Sequence, residues 1–293
     1  LAPAETFADI TSDTALAAYL VRPDQRSYDL EDLVVRHLGR ELKAEEAASP
    51  QGMLDFAPDD DTAEREAMVR ARAVLELSEV LAHRLDETGG TELLADLELP
   101  LVEILARMER TGIAVDEAAL TDLEADFAAK MRRAQQDAYD AIGRDDVNLG
   151  SPKQLQEVLF EQLGMPRTKR TKTGYTTDAD ALADLFAKTE HPFLEALLRH
   201  RDTSRLRVTV EGLIKSVAPD RRIHTTYLQT IAATGRLSST DPNLQNVPIR
   251  TEEGRRIREV FVVGEGFESL MSADYSQIEM RIMAHLSGDE GLI

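Results

Sequence analysis

Apolar residues recur at helical spacing from the start of the chain to about residue 217, and strand-like alternation appears only beyond that point. Asp13 stands at the head of Thr14–Leu20 and predicts a short capped helix there. Residues 43–62 are acidic and interrupted by Pro and Gly, the pattern of a loop. From Ala63 to Glu87, residues Val69, Ala73, Leu77, Val80 and Leu81 make one apolar stripe, and Gly89-Gly90 closes the helix it predicts. Leu101, Val102, Leu105 and Met108 predict the next helix, stopped at Gly112. Asp116 caps another, which carries Leu120, Leu123, Phe127 and Met131 on one side and runs to about Ile142. Ser151, Pro152 and Gln154 form a capping box with proline at the first helical position, and this helix ends at Leu163-Gly164. A polar, basic, hairpin-like tip follows over Met165–Thr177, then helices over about 178–188 and 191–217. Two long helices bearing such a tip suit a lever that touches a phosphate backbone, and they suit an ordinary helical bundle equally.

The remainder predicts mixed structure. Ile223–Ala232 alternates with β-branched and aromatic residues, as a strand does. Ile257–Val263 and Ser269–Ala273 predict two more strands around a Gly264-Glu265-Gly266 turn, and Ser276 caps a helix turning Ile278, Ile282 and Leu286 inward. Three strands and one helix make a thin core, so this part is expected to open a larger domain. The chain thus divides into 1–100, 101–222 and 223–293, with the first boundary near Leu99-Pro100, and the fold class is multidomain α+β.

Composition bounds the function. The 293 residues are 42% hydrophobic and 30% charged, as in globular domains that bury a substantial core. No apolar run nears the roughly 18 residues of a membrane span, no signal peptide opens the chain, and there is no Cys, which together suit a cytoplasmic protein without membrane contact. The net charge of −20 argues against nucleic acid until its distribution is considered. Residues 1–100 hold nine basic side chains against 23 acidic ones, whereas 199–258 hold twelve against six. Arg167, Lys169, Arg170 and Lys172 cluster in the tip without an acid among them. Basic groups therefore gather where a phosphate backbone could lie, although a solvated basic face has the same composition.

Two segments carry the candidate chemistry. Thr234–Arg250 (TGRLSSTDPNLQNVPIR) fills a loop with hydroxyls, amides and arginines. Arg236 can offer its fork to minor-groove acceptors, which every base pair presents. Asn243, Gln245 and Asn246 add amide donors, Arg250 can meet a phosphate, and Pro242 and Pro248 stiffen the loop. Asp274-Tyr275-Ser276-Gln277-Ile278-Glu279 (DYSQIE) puts a carboxylate at a strand end, where Asp274 and the Tyr275 carbonyl could hold magnesium, a hard cation that takes oxygen ligands.

Together these segments resemble two palm motifs of the family A DNA polymerases, the DNA polymerase I family. The resemblance is most specific over 223–291. Over 101–217, VNLGSPKQLQEVLFEQLG and the basic tip resemble the thumb. It implies a DNA-directed DNA polymerase, a nucleotidyltransferase acting in replication and repair by a two-metal mechanism, on a primer-template duplex and a dNTP. It further implies Asp274 as ligand of both magnesium ions, Glu279 as the steric gate against a ribose 2′-hydroxyl, with Tyr275 and Gln277 beside it, and Arg236 as minor-groove reader. Asn243, Gln245, Arg250, Ser151, Thr176, Thr177, Lys169, Lys172, Arg205 and Arg207 are then DNA-binding. A monomeric bacterial protein associated with the nucleoid is expected.

The N-terminal part, through SDTALAAYLV and RSYDLEDLVVRHLGRE, resembles the C-terminal part of the family's 3′–5′ exonuclease domain, of ribonuclease H-like fold. Asp13 matches one of its four metal carboxylates. Where the family has Tyr-x-x-x-Asp, residues 64–80 have no Tyr, and Arg70, Ala71, Arg72 and Ala73 replace the acids, so a degenerate, inactive scaffold is expected. The family's second metal-binding Asp and its nucleotide-binding helix do not occur before Ile293. The 293 residues alone are therefore expected not to extend a primer. Two alternatives stay open, a non-catalytic DNA-binding or scaffold protein and a proofreading exonuclease.

Overall fold

The computed structural model describes residues 10–42, 60–172, 174–249 and 251–293, with the backbone alone at 60–62. Its first unit packs α1 (Thr14–Val21) and α2 (Leu30–Leu38) against the long α3 (Asp60–Thr88). The Asp13 carboxylate caps α1, accepting from the Leu16 N–H at 2.8 Å. Ala73, Leu77, Leu81 and Leu85 bury one stripe of α3 against Leu16, Leu33 and Val34, close to the stripe the sequence predicts. A short turn, α4 (Thr91–Leu93), leads through a π-helical stretch (Leu94–Glu98) into α5 (Leu99–Thr111), so the backbone stays helical through Leu99-Pro100.

The middle is built on two long helices, α6 (Glu117–Ile142) and α9 (Pro192–Lys215), packed along much of their length. Asp116 caps α6 as the sequence predicts, its carboxylate accepting from the Ala119 N–H at 3.0 Å. Beside them lie α7 (Pro152–Gln156), continued by a π-helical stretch (Glu157–Gln162), and α8 (Ala179–Thr189). Ser151 caps α7, accepting from the Gln154 N–H at 3.5 Å. The Gln154 side chain departs from a capping box: it accepts from the Asn148 N–H at 2.6 Å and closes the preceding loop, while the Ser151 N–H donates to the Asn148 carbonyl at 2.9 Å. Leu155, Leu159, Leu182, Phe193 and Leu197 fill the core at this end.

A further core lies at the other end of α6 and α9. Leu120, Phe127, Val210 and Leu213 meet Ile223, Val247, Ile257 and Val260, which ties the chain beyond residue 223 to the long helices. Here the predicted strands are corrected. Ile257 lies in α10 (Glu252–Glu259), whose cap is the Thr251 hydroxyl, accepting from the Gly254 N–H at 3.1 Å. Its signal was present as a capping Thr, two acids in the first turn and arginines in the last. Arg256 donates to Asp126 at 2.7 Å, fixing α10 against α6 and holding that carboxyl below its usual range, with Lys130 adding to the effect. Gly254 permits this docking, because a Cβ there would stand 2.8 Å from Pro248 backbone atoms.

All regular strands among the described residues form three two-stranded antiparallel ladders. β1 (Ile113–Ala114) pairs with β4 (Arg222–Ile223), β2 (Arg170–Thr171) with β3 (Gly174–Tyr175), and β5 (Thr226–Leu228) with β6 (Ser238–Thr240). The Ile223–Ala232 strand is thus shorter and broken at His224-Thr225. Ser269–Ala273 is not a strand; it is exposed chain with no ladder partner among the described residues. After it, α11 (Ile278–Ser287) starts at Gln277, whose backbone is left-handed (φ 54°), with no side-chain cap from Ser276. Only Ala284 of α11 is buried, so Ile278, Ile282 and Leu286 do not point inward. Among the described residues the molecule is helix-rich α+β without a continuous sheet.

Candidate active site and nucleic-acid interface

The Thr234–Arg250 segment is organised by the β5–β6 hairpin. Its base is a buried hydroxyl pair: Thr225 Oγ1 lies 2.6 Å from Ser239 Oγ and within 2.9 Å and 2.8 Å of the Thr240 and Pro242 carbonyls. Two hydroxyl protons thus serve three oxygens in a site where an unpaired polar atom would be costly. Asn243 accepts from the Gln245 and Asn246 N–H groups at 3.0 and 3.2 Å, which spends its carbonyl on an Asx turn. Gln245 donates to the Leu237 carbonyl at 2.9 Å, beside Arg236. Arg250 lies outside the described residues.

Arg236 stands in the exposed hairpin loop and donates to the Glu279 carboxylate at the start of α11. This contact joins the two motifs across 43 positions of sequence. The Glu279 carboxyl is held below its usual range, first by its own backbone N–H and then by Arg236. Both side chains are largely exposed, so the pair is of the solvent-screened kind that adds little stability and exchanges readily. Asp274, expected at a strand end, lies instead in exposed irregular chain, with Tyr275 81% exposed next to it. Among the described residues no three acidic or imidazole groups gather closely enough to hold a metal. Asp274 and the Tyr275 carbonyl are still hard oxygen donors of the type magnesium takes, and magnesium draws much of its shell from water and substrate phosphates.

The expected DNA-gripping residues are spread over the helical middle and differ in availability. The tip is the hairpin the sequence predicts, where Lys169 and Lys172 are exposed without an ion pair among the described residues. Arg167 stacks on Tyr175, 5.2 Å from the ring centroid. Thr176 donates to Asp178 at 2.6 Å and Thr177 is buried, its carbonyl taking a hydrogen bond from Arg201. Arg205 opens into a cavity of about 550 Å³ between α6, α9 and the chain before α10, with Lys130, Arg133, Arg199, Asp202 and Glu253 around it. Arg207, partly exposed, is engaged by Glu124 at 2.7 Å and Glu211 at 2.8 Å.

Four further residues position the site and escaped the sequence reading. Glu109 accepts from the Tyr227 N–H at 2.7 Å and so anchors β5 to α5. Tyr19 donates to the Ala232 carbonyl at 2.6 Å, and Glu98 accepts from the Gln229 amide at 2.6 Å. Thr225 anchors the hairpin base. Only the burial of Glu98 is anomalous enough to have drawn notice, and burial is not legible in a linear pattern.

The model of DNA polymerase family A matches residues 117–293. The chain is 62% identical over 291 residues to DNA polymerase I of Mycobacterium tuberculosis, covering 98% of this chain and 32% of the relative. It is 41% identical over 284 residues to DNA polymerase I of Bacillus subtilis, covering 96% and 32%. It therefore spans about a third of the length of these relatives. A solved structure of the POL domain of Pol1 from M. smegmatis, in complex with DNA primer-template and dNTP, superposes with a TM-score of 0.87 at 60% identity, over 97% of this chain and 47% of that one.

Proposed function

Because this chain belongs to DNA polymerase family A, we propose that the whole protein is a DNA-directed DNA polymerase that adds dNTPs to a primer 3′ end. The observation that carries the reading is the meeting of Arg236 and Glu279, which makes one wall from two distant motifs. A neighbour of similar fold solved with primer-template and dNTP supports the choice of ligands.

Each residue then has a task set by its chemistry. On a bound duplex, Arg236 exchanges the Glu279 carboxylate for minor-groove acceptors, at little cost because that pair is exposed. Glu279, released, crowds the sugar edge and discriminates by a clash. Asp274 and the Tyr275 carbonyl would hold magnesium, in a two-metal scheme whose second carboxylate is not among these residues. Bound there, magnesium supplies neutralisation of charge on the transferring phosphate. Gln277 and Tyr275 flank the nucleotide. Lys169 and Lys172 at the tip, Arg205 in the cleft, and Ser151, Thr176, Thr177, Asn243, Gln245 and Arg250 follow the duplex, while Arg207, engaged by Glu124 and Glu211, ties α9 to α6. Residues 1–100 serve as an exonuclease-like scaffold, in which Asp13 spends its carboxylate on the α1 cap.

In the complete polymerase, Asp274→Ala should reduce primer extension by about a thousandfold or more while duplex affinity stays within about twofold. Turnover near the wild-type rate would refute the assignment. The 293 residues alone should give no extension with magnesium and dNTPs.

A further inference from the structure

Arg236 projects from the loop between β5 and β6, of which residues 233–236 are exposed. Once Arg236 leaves Glu279, such a loop would leave the guanidinium poorly aimed unless the turn itself were held from outside the hairpin. Two tethers come from the N-terminal third. Tyr19, on α1 and 3% exposed, donates to the Ala232 carbonyl at 2.6 Å. That same carbonyl accepts from the Gly235 N–H at 3.1 Å, closing the turn that precedes Arg236. Gly235 holds φ 81°, a left-handed conformation that most side chains resist, so the turn has a defined shape to be held. Glu98, in the π-helical stretch and 8% exposed, accepts from the Gln229 amide at 2.6 Å through its carboxylate, and its backbone carbonyl takes a longer bond from the same amide. Gln229 begins the loop immediately after β5. On the far side, Gln245 holds the Leu237 carbonyl. Tyr19 stays a donor at ordinary pH, because burial pushes its phenol above the usual value while the Gly235 backbone N–H opposes this.

We propose that the N-terminal unit is a positioning device for Arg236: Tyr19 and Glu98 hold the two halves of the 229–235 turn, so that the guanidinium meets the minor-groove edge in one orientation. A part of the chain with no assigned chemistry would thereby act on the accuracy of synthesis. The inference rests on the reading of Arg236 given above, and it is separable from that reading by experiment.

The test uses the complete polymerase with Tyr19→Phe, Glu98→Ala and Glu98→Gln. Tyr19→Phe removes one hydroxyl and keeps the ring; Glu98→Gln keeps an acceptor for Gln229. Hydrogen exchange of residues 229–237 should accelerate about two- to tenfold in Tyr19→Phe and Glu98→Ala, with Glu98→Gln close to wild type. The ratio of mismatched to matched primer-end extension should rise in the first two and recover in the third. Unchanged exchange in 229–237 overturns the proposal, as does acceleration spread evenly over α1–α3, which would signal simple loosening of that unit. An Arg236→Ala variant separates the premises. If it leaves mismatch discrimination intact, the minor-groove role fails, and exchange alone decides whether the tethers hold the loop. If Arg236→Ala changes discrimination but the tether variants do not, positioning is overturned.

Discussion

The helical middle and the stretch that carries Asp274 are opposite cases. On α6 and α9, Phe127 and Phe193 are fully buried and the neighbouring apolar side chains share their cores. Over 264–293, Met271 is 88% exposed, Leu286 79%, and Ala284 is the buried residue of α11. The shape of the middle is fixed by these two cores, one of them completed by Ile223, Val247, Ile257 and Val260. The Asp274 stretch has its secondary structure without packing that would fix where the carboxylate points. The proposed metal ligand thus stands among exposed side chains, whereas the basic tip proposed to hold a duplex is carried by the buried helical middle.

The largest effect should come from the packing contrast itself. Phe127→Ala should destabilise these 293 residues by about 3–5 kcal/mol through transfer loss and an unfilled cavity, whereas Leu286→Ala should stay within about 0.5 kcal/mol. Urea midpoints at fixed denaturant slope measure both, and equal losses would break the comparison.

A smaller effect separates two kinds of basic residue within the middle. Lys169→Ala and Lys172→Ala should each lower the slope of log affinity against log salt for a DNA duplex by about 0.9, the signature of one lost phosphate contact. Arg207→Ala should leave that slope unchanged, since Glu124 and Glu211 already neutralise it. A reduced slope in Arg207→Ala would show that duplex displaces these acids.

The smallest effect is electrostatic. Burial pushes the His200 imidazole down, helped by the adjacent Arg201, and its Nδ1 is buried without a hydrogen-bond partner among the described residues. The folded state therefore favours the neutral ring. The stability this contributes is full above the unfolded value of about 6.5 and is lost as pH falls through the lower folded value. Urea midpoints should decline between about pH 7 and pH 5, and His200→Gln should flatten that decline. An identical slope in the variant would assign the decline to other groups.

Particular residues show where linear reading succeeds. Asp13, Asp116, Ser151 and the Leu77–Leu81 stripe act locally, within one or two helical turns, so their roles are written in spacing. Gln154 follows the capping-box pattern and bonds to the Asn148 N–H, while the Ser151 N–H is taken by the Asn148 carbonyl at 2.9 Å. Ile257–Val263 alternates like a strand, yet its Thr251 cap and docking on α6 favoured a helix over 252–259. The motif residues Arg236 and Glu279 were legible as types, and their pairing was not.

Sequence alone determined most of the helices up to residue 217, the caps Asp13, Asp116 and Ser151, the basic tip, and the two motifs that mark the family, since each depends on residues close in the chain. Tertiary structure alone decided that Arg236 meets Glu279, that Tyr19 and Glu98 reach the loop before it, and that Arg207 is spoken for. Those contacts join residues 43, 213, 131 and 83 positions apart. Their geometry is set by how separate helices pack, and no periodicity in a single segment encodes that.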